Sequence, residues 1–306
     1  MLKTVLVITS SKDRTVDYII GKFSRSVSFF RIDTDTLEKY RITVTNGFTT
    51  IKKVTDSKEI NLDIVAAIYY RKPSYPKKFS EYLPSYTKFL QQEFKKFLFG
   101  FVSSFNGKII TNPYLLNKAD NKLLQLKIAK EVGLKLPKTI VTNDPMVIWN
   151  KIQKEKKKWI IKPLSTGKLS DSTVTYTNLL DGVSSESDLE SLRIAPHIFQ
   201  EFIEKEYDLR ITVVDKNFFP VKIYSSNKLD WRTGENKYEK TEIPEDLKYK
   251  CLSYMRKFSL PFCAFDFVYF KGDYYFLEGN PNGQWLWLEL EVNIPISEAI
   301  VNALVK

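Results

Sequence analysis

The sequence predicts an α/β domain with a parallel sheet at its start, followed by a region that mixes helices with antiparallel strands. Three observations carry this. The chain opens as strand, helix, strand: the β-branched run TVLVIT (4–9), then SSKDRTVDYIIGKF with Val16, Ile19 and Ile20 on one side, then SFFRID (28–33). Residues 117–139, NKADNKLLQLKIAKEVGLKLPKT, read as one helix of about four turns, with Gly133 near its end and Pro137 beyond as stop signals. Near the other end, FCAFDFVYF and DYYFLEGN flank Lys271-Gly272, the pattern of a hairpin.

Ser10 or Ser11 is the expected cap of the first helix. DIVAAIYY (63–70) adds a strand to the first sheet. Between 81 and 101, Leu90, Phe94, Phe97, Leu98 and Phe101 recur at helical spacing, a core-facing stripe. KIITNP (108–113) reads as a short strand and turn, where a domain boundary is expected. KKWIIKPL (157–164) is a strand ending at Lys162, followed by the small polar loop 165–173 and by TVTYT (173–177) as a return strand. HIFQEFI (197–203), YDLRITVV (207–214) and FFPVKIYS (218–225) are expected to form an antiparallel meander. Helices near 246–258 and over 296–305 complete the reading.

With 306 residues, 43% hydrophobic and 27% charged, the chain has the composition of a globular protein with a substantial core. No apolar run is long enough to span a bilayer, and MLKTVLVITS reads as a strand, so a cytoplasmic protein with no membrane partner is expected. Cys251 and Cys263 lack the paired spacing of a zinc site and are expected to be reduced thiols. His197 is the single histidine, which argues against an imidazole triad or a zinc centre. Catalysis must then rest on carboxylates, lysines, arginines and a bound cation. The net charge of +11 points to an anionic partner: nucleotide phosphates, an acidic peptide or nucleic acid. The run KEKKKW (154–159) reads as a solvated face. The 21 Phe and 17 Tyr lie mostly inside apolar runs and do not alternate with basic residues on one stripe, so a nucleic-acid partner is not expected. Neither G-x-G-x-x-G after the first strand nor a Walker A sequence occurs.

The stretch YYFLEGNPNGQWLWLEL (274–290) places Glu278 at the end of an apolar run, with Asn280 two residues on. Folding back over Lys271-Gly272 pairs 267 with about 276 and brings Asp266, a lone acid in its strand, near 277–278. An Asp, a Glu and an amide oxygen so placed suit Mg²⁺, which takes one or two carboxylates plus substrate phosphates. The alternative is an acid satisfied by backbone donors beside turn chemistry at GNPNG. Lys122 at the start of the long helix, Lys162 at a strand end and Arg210 in the DLR run read singly as surface charges. Together with the acids they form a set able to neutralise a triphosphate.

In this order DNK…GLKLPKT, WIIKPLSTGK, IFQEFIEKEYDLRITVV and FDFVYF…FLEGNPNGQW resemble the ATP-grasp ligases over nearly the whole chain. The resemblance implies an ATP-grasp fold of α/β and α+β character: an N-terminal α/β (pre-ATP-grasp) domain over 1–115, a central lobe over 116–195, and a C-terminal lobe over 196–306 with the metal and nucleotide site. It implies ATP and two Mg²⁺ ions as cofactors. Lys122 and Lys162 would touch the phosphates and adenine, and Lys168 would cover the phosphates. Backbone groups of Gln200, Glu201, Phe202 and Ile203 would meet the adenine edge, with Glu201 or Glu204 near adenine or ribose and Asp208 in the same nucleotide set. Asp266, Glu278 and Asn280 would hold the metal, while Arg210, helped by Arg232, would steady the acyl phosphate or the incoming carboxylate. The loop 165–173 carries only Gly167 where many members have several glycines, a departure that bears on its phosphate contacts.

NPNGQWLWLE, SSNKLDWR and YYRKP (69–73) are further similar to the maturases of microviridin-type peptides, the graspetides, and the lysine- and aromatic-rich style to the grasp-with-spasm group. The resemblance implies an enzyme that activates Asp or Glu side chains of a ribosomal precursor peptide and joins them to Ser, Thr or Lys side chains as macrocyclic ω-esters or ω-amides. The implied partners are a precursor with a leader and an acidic, Thr-rich core, and a second copy of the chain in a homodimer. For Arg71 the alternatives are a salt bridge at a domain contact and a direct site role; Trp285 and Trp287 read as packing beside the site. A carboxylate–amine ligase that adds free amino acids to a protein or peptide, like the ribosomal-protein glutamate ligases, is the alternative enzyme. A grasp-fold module without activity is the alternative of another class.

Overall fold

The computed structural model describes residues 2–46, 48–155, 157–165 and 177–306. The first part runs β1 (Thr4–Thr9), α1 (Arg14–Phe23), β2 (Ser28–Asp33), β3 (Tyr40–Val44), β4 (Thr49–Lys53), β5 (Glu59–Asn61), β6 (Val65–Tyr70), α2 (Pro84–Ser103), β7 (Lys108–Ile110) and α3 (Pro113–Ala119). β2-β1-β6-β7 form the expected parallel sheet, with Val7 opposite both Arg31 and Tyr69. β3-β4-β5 form a second, antiparallel sheet that the sequence reading did not separate from its surroundings. The aromatic stripe of α2 packs Phe94, Leu98 and Phe101 against Leu6, Ile8 and Ile68. The cap of α1 is Asp13, whose carboxylate accepts from the Thr15 and Val16 amides. Ser11 is drawn away, donating its amide (2.7 Å) and hydroxyl (2.6 Å) to Asp35.

The middle of the chain adds α4 (Lys122–Glu131), β8 (Thr139–Thr142), α5 (Pro145–Lys154), β9 (Trp159–Lys162), β10 (Asn178–Leu179) and β11 (His197–Glu201). The helix expected over 117–139 is two helices, α3 and α4, because the Asn121 side chain accepts from the Leu124 amide and starts a new helix there. Gly133, at φ +78°, ends it as the sequence indicates. The sheet order is β10-β9-β11-β8, so β11 lies between two strands that both precede it in sequence and does not join the expected meander. The physical reason is its apolar pair: Phe199 packs with Trp159, Ile148 and Leu189 in the central core. Most of the return strand expected over 173–177 lies outside the described residues.

The last part holds β12 (Tyr207–Val214), β13 (Asn217–Ser225), β14 (Asn236–Lys240), α6 (Glu245–Phe258), β15 (Phe262–Phe270), β16 (Asp273–Asn280), α7 (Leu286–Val292) and α8 (Ile296–Val305). Its five strands run β14-β13-β12-β15-β16, every neighbour antiparallel. α6 covers one face through Leu247, Cys251, Tyr254 and Phe258. α8 covers the other and is shared: Ile300, Val301 and Leu304 lie in one core with Val5, Val7 and Tyr69 of the first sheet and with Val214, Val221 and Ala264 of the last. Both cysteines are buried free thiols, and among the described residues no helix is long and apolar enough to cross a membrane.

Candidate active site

The β15–β16 hairpin turns at Lys271-Gly272, both at positive φ (+48° and +87°), and pairs Phe267 with Phe276. A regular ladder would then set residue 266 against 277. A register shift between Asp266 and Phe267 instead puts Asp266 directly opposite Glu278. Asn280 closes the group: its Nδ2 donates to Asp266 Oδ2 at 2.9 Å and to Glu278 Oε1 at 3.1 Å. The two acids and the amide thus converge, with the amide nitrogen rather than the expected amide oxygen facing the carboxylates.

Arg210, opposite Asp266 on the neighbouring strand β12, donates through Nη1 to Asp266 Oδ2 at 2.5 Å and through Nη2 to the Gln284 carbonyl at 3.1 Å. The loop can approach this guanidinium because residue 283 is glycine; a Cβ there would lie 2.7 Å from Arg210 Nη2 and 2.6 Å from Ala264 Cβ. Arg71, at the end of β6, reaches the same loop from the first domain. It is 1% exposed and donates to the Asn282 carbonyl (3.1 Å), Asn282 Oδ1 (2.6 Å) and Gln284 Oε1 (2.7 Å). It is therefore a domain contact, made to amide groups. Trp285 is fully buried beside the site, and Trp287 packs on Trp231 and Tyr238.

The acids face a cavity of about 470 Å³ that Lys122, Lys162, Gln200, Asp208, Arg232, Asp266, Glu278 and Asn280 all line. Gln125 sets one wall. Its Nε2 donates to the Ala119 (2.7 Å) and Gly279 (3.0 Å) carbonyls and its Oε1 accepts from the Gly279 amide (3.0 Å), fixing the start of α4 against the end of β16. Lys122 Nζ then donates to the Pro163 carbonyl at 2.7 Å. Lys162 donates to Gln200 Oε1 at 2.9 Å, and Gln200 in turn to Thr139 Oγ1 at 3.0 Å. Asp208 pairs with Lys205 at 2.7 Å, and Arg232 with Asp230 at 2.9 Å. Leu126, Ile198 and Leu277 supply apolar surface.

Glu201 and Glu204 do not line this cavity; they pair outward with Lys157 (2.5 Å) and Lys158 (3.4 Å). Alternation along β11 explains this for Glu201, since Ile198 and Gln200 take the cavity side, and Glu204 lies beyond the strand. Phe202 and Ile203 follow the strand, where the Phe202 amide donates to the Lys158 carbonyl and the Ile203 carbonyl accepts from the Lys205 amide. Lys168 lies outside the described residues. The sequence reading passed over Asp120, Gln125 and Asp230, although the quoted DNK and DWR stretches contain the two acids.

The electrostatics follow from burial and crowding. Burial, with Lys122 and Arg232 near, pushes Lys162 down to about 8 against the pull of Glu278. Burial lowers Lys122 as well, and lifts Asp208 to about 6 in spite of Lys205. The facing acids split. Burial raises Asp266, with Glu278 adding to it and Arg210 opposing. For Glu278 burial also pushes upward, but the Asn280 hydrogen bond and the charges of Lys122, Arg232 and Lys162 outweigh it and hold the carboxyl low.

Among the described residues no three Asp, Glu, His or Cys side chains gather into a self-sufficient metal site. Two carboxylates and one amide bridged by cationic or N–H donors form an incomplete oxygen set, which fits a hard cation that completes its shell with phosphate oxygens.

Two facing sheets with a cationic and acidic cleft between them define a nucleotide-dependent ligase of the ATP-grasp class. Residues 4–116 match the MvdD pre-ATP-grasp domain and residues 119–304 the RimK-like ATP-grasp domain. The chain belongs to the RimK-like ATP-grasp family. It is similar to the macrocyclase MdnC of Microcystis aeruginosa MRC, solved bound with precursor peptide MdnA, at 28% identity and TM-score 0.89 over 99% of both chains. It is similar to a RiPP-associated ATP-grasp ligase of Chryseobacterium gregarium, solved with ADP and a leader and core peptide, at 26% identity and TM-score 0.87, covering 99% of this chain and 96% of that one. Macrocyclase MdnB of Microcystis aeruginosa MRC is 30% identical, with TM-score 0.80 over 99% of both chains. Comparison with curated protein sequences gives no match.

Proposed function

We propose that this chain is an ATP-dependent peptide maturase that joins Asp or Glu side chains of a ribosomal precursor to its Ser, Thr or Lys side chains, closing macrocyclic ω-esters or ω-amides. The observation that carries the reading is the near full-length likeness to macrocyclases, combined with a site whose cations and acids converge around one cavity. A carboxylate oxygen of the substrate attacks the γ-phosphorus of ATP, the bond to the β–γ bridging oxygen breaks, and ADP leaves with that electron pair. The resulting acyl phosphate is attacked at its carbonyl carbon by the hydroxyl or amine, and phosphate leaves as the nucleophile gives up its proton. One water is lost from the peptide per ring. Such transfers need charge neutralisation and alignment more than a protein nucleophile.

In this reading Lys122 and Lys162 neutralise phosphate oxygens, with Lys168 from the loop. Gln200, Glu201, Phe202 and Ile203 present backbone groups to adenine between the apolar walls, and Asp208 completes the nucleotide set. Asp266, Glu278 and Asn280 would hold two Mg²⁺ ions, which supply charge neutralisation for the transferred phosphoryl group. Arg210 and Arg232 steady the acyl phosphate. The precursor carries a leader and an acidic, Thr-rich core, and the enzyme is a cytoplasmic homodimer.

The test is incubation with ATP, Mg²⁺ and the small peptide encoded beside the gene, read by mass spectrometry. Loss of one or more waters, abolished in Asp266→Ala and Glu278→Ala, is the expected result. An unchanged peptide mass, with ATP turnover stimulated by a free amino acid, overturns it in favour of a carboxylate–amine ligase.

A further inference from the structure

The first sheet has a topological switch point that the nucleotide site does not use. Its strand order, β2-β1-β6-β7, reverses between β1 and β6, and in open parallel sheets ligands bind beyond the carboxyl ends of the strands at such a point. Three charged groups around that point are already engaged. Asp13 accepts from Thr9 Oγ1 at 2.6 Å and from the first amides of α1. Arg71 is committed to Asn282 and Gln284, and Arg210 to Asp266 and Gln284. Lys72, next in sequence after Arg71, is different. Its side chain is exposed, and among the described residues no hydrogen bond or ion pair engages its ammonium group. The ammonium end is nevertheless crowded: burial and the nearby charges of Arg71 and Arg210 push it down to about 8, with Asp13 pulling the other way.

We infer that Lys72 is a substrate-binding residue that receives the carboxylate of the acyl-donor side chain as it approaches the Arg210–Asp266 pair from the first domain. The inference rests on the peptide-maturase reading above. The position argues for a carboxylate and against a nucleotide phosphate. Lys122, Lys162 and Arg232 line the nucleotide cavity together with Asp266, whereas Lys72 and Arg210 do not. Arg210 therefore backs Asp266 from outside that cavity, and the Gln284 that it binds is held from the first domain by Arg71, the residue before Lys72. An ammonium group with no partner among the described residues, following Arg71 in sequence, gains most from an incoming anion with two oxygens, and a charge-assisted hydrogen bond is about twice as strong as a neutral one.

The test compares binding of two peptides to the wild-type enzyme with ADP and Mg²⁺: the peptide encoded beside the gene, and the same peptide with its acyl-donor carboxylate, located first by mass spectrometry, replaced by the amide. Wild type should bind the acid about tenfold more tightly than the amide. Lys72→Met should erase that difference, and Lys72→Arg should restore most of it. KM for ATP should stay within about twofold throughout, and the exposed position makes an unchanged melting temperature the expected control. Equal weakening of both peptides by Lys72→Met, no weakening of either, or a raised KM for ATP overturns the assignment. A wild-type enzyme that removes no water from the peptide overturns the maturase reading itself, whereas normal water loss with unaltered binding in Lys72→Met removes only the role of Lys72.

Discussion

Lys162 offers a quantitative handle on the nucleotide site. In the free enzyme its amine is held near 8 by burial and neighbouring cations. If it neutralises phosphate oxygens, ATP binds the protonated form and raises that value. The sign follows directly: the charge is present below 8 and lost as pH rises through it. From pH 7 to pH 9 the protonated fraction falls from about 0.9 to about 0.09, so the ATP dissociation constant should rise about tenfold, roughly 1.4 kcal/mol. The phosphate groups themselves titrate near 6 and are at least about nine-tenths ionised over this range. Isothermal titration calorimetry at pH 8, in two buffers of different ionisation enthalpy, should register uptake of about half a proton per ATP. Lys162→Arg should flatten the pH dependence, because a guanidinium stays charged throughout. An ATP affinity independent of pH between 7 and 9, without proton uptake at pH 8, would refute the placement of Lys162 against the phosphates.

Two further perturbations test what holds the site in place. Arg71→Met removes three part-buried hydrogen bonds to Asn282 and Gln284, each worth about 1 kcal/mol, so the melting temperature should fall by roughly 6–12 °C and ATP turnover should fall with it; a fall below about 3 °C contradicts the role given to this contact. Glu289, 5% exposed, accepts from Lys22 (2.7 Å), Tyr18 (2.9 Å), the Ser297 amide (2.6 Å) and the Ser297 hydroxyl (2.5 Å). Glu289→Gln should cost about 2–4 kcal/mol, with Lys22 contributing little because it is half exposed. Burial pushes the Glu289 carboxyl up, but these bonds outweigh it and hold it below the usual 4.5. Its stabilisation is therefore full above pH 4.5 and lost as pH falls through the lower folded value. Urea unfolding should show the wild-type advantage in full at pH 7 and a progressively smaller one as the pH falls below 4.5.

The hairpin was legible because its turn and its two acids lie within fifteen residues, so strand pairing could be counted from Lys271-Gly272 outward. The helices over 245–258 and 296–305 were legible for a similar local reason, their apolar periodicity. What escaped the sequence depends on contacts between distant segments. Asp13 displaces Ser10 and Ser11 as a cap only because Asp35, on another element, takes up Ser11. β11 looks like a meander strand in isolation, and its choice of β8 and β9 is decided by Trp159 and Ile148. Glu201 and Glu204 were equally plausible site acids in the string; for Glu201 the outcome depends on which face of β11 meets the cavity, and the pairing register turns Gln200 inward. Asp120 and Gln125 reach the site only because α4 starts beside Gly279.

The first domain carries no phosphate-binding motif, yet the rest of the chain cannot be separated from it. α8 presents Ile300, Val301 and Leu304 to Val5, Val7, Ala67, Tyr69 and Ile110, and all of these are buried. A fragment spanning 116–306 would expose that face of α8 and lose Arg71 from the Asn282–Gln284 loop. Exposing a fully buried aliphatic side chain costs about 1.5–3 kcal/mol, so three such residues on α8 alone amount to roughly 5–9 kcal/mol. That is comparable with the whole stability of a typical domain, about 5–15 kcal/mol. The fragment should accordingly be insoluble, or soluble without a cooperative melting transition, and should not bind ATP. A soluble fragment with a sharp transition and wild-type ATP affinity would show that the nucleotide lobes fold without the first sheet, and that Arg71 and α8 serve only to attach it.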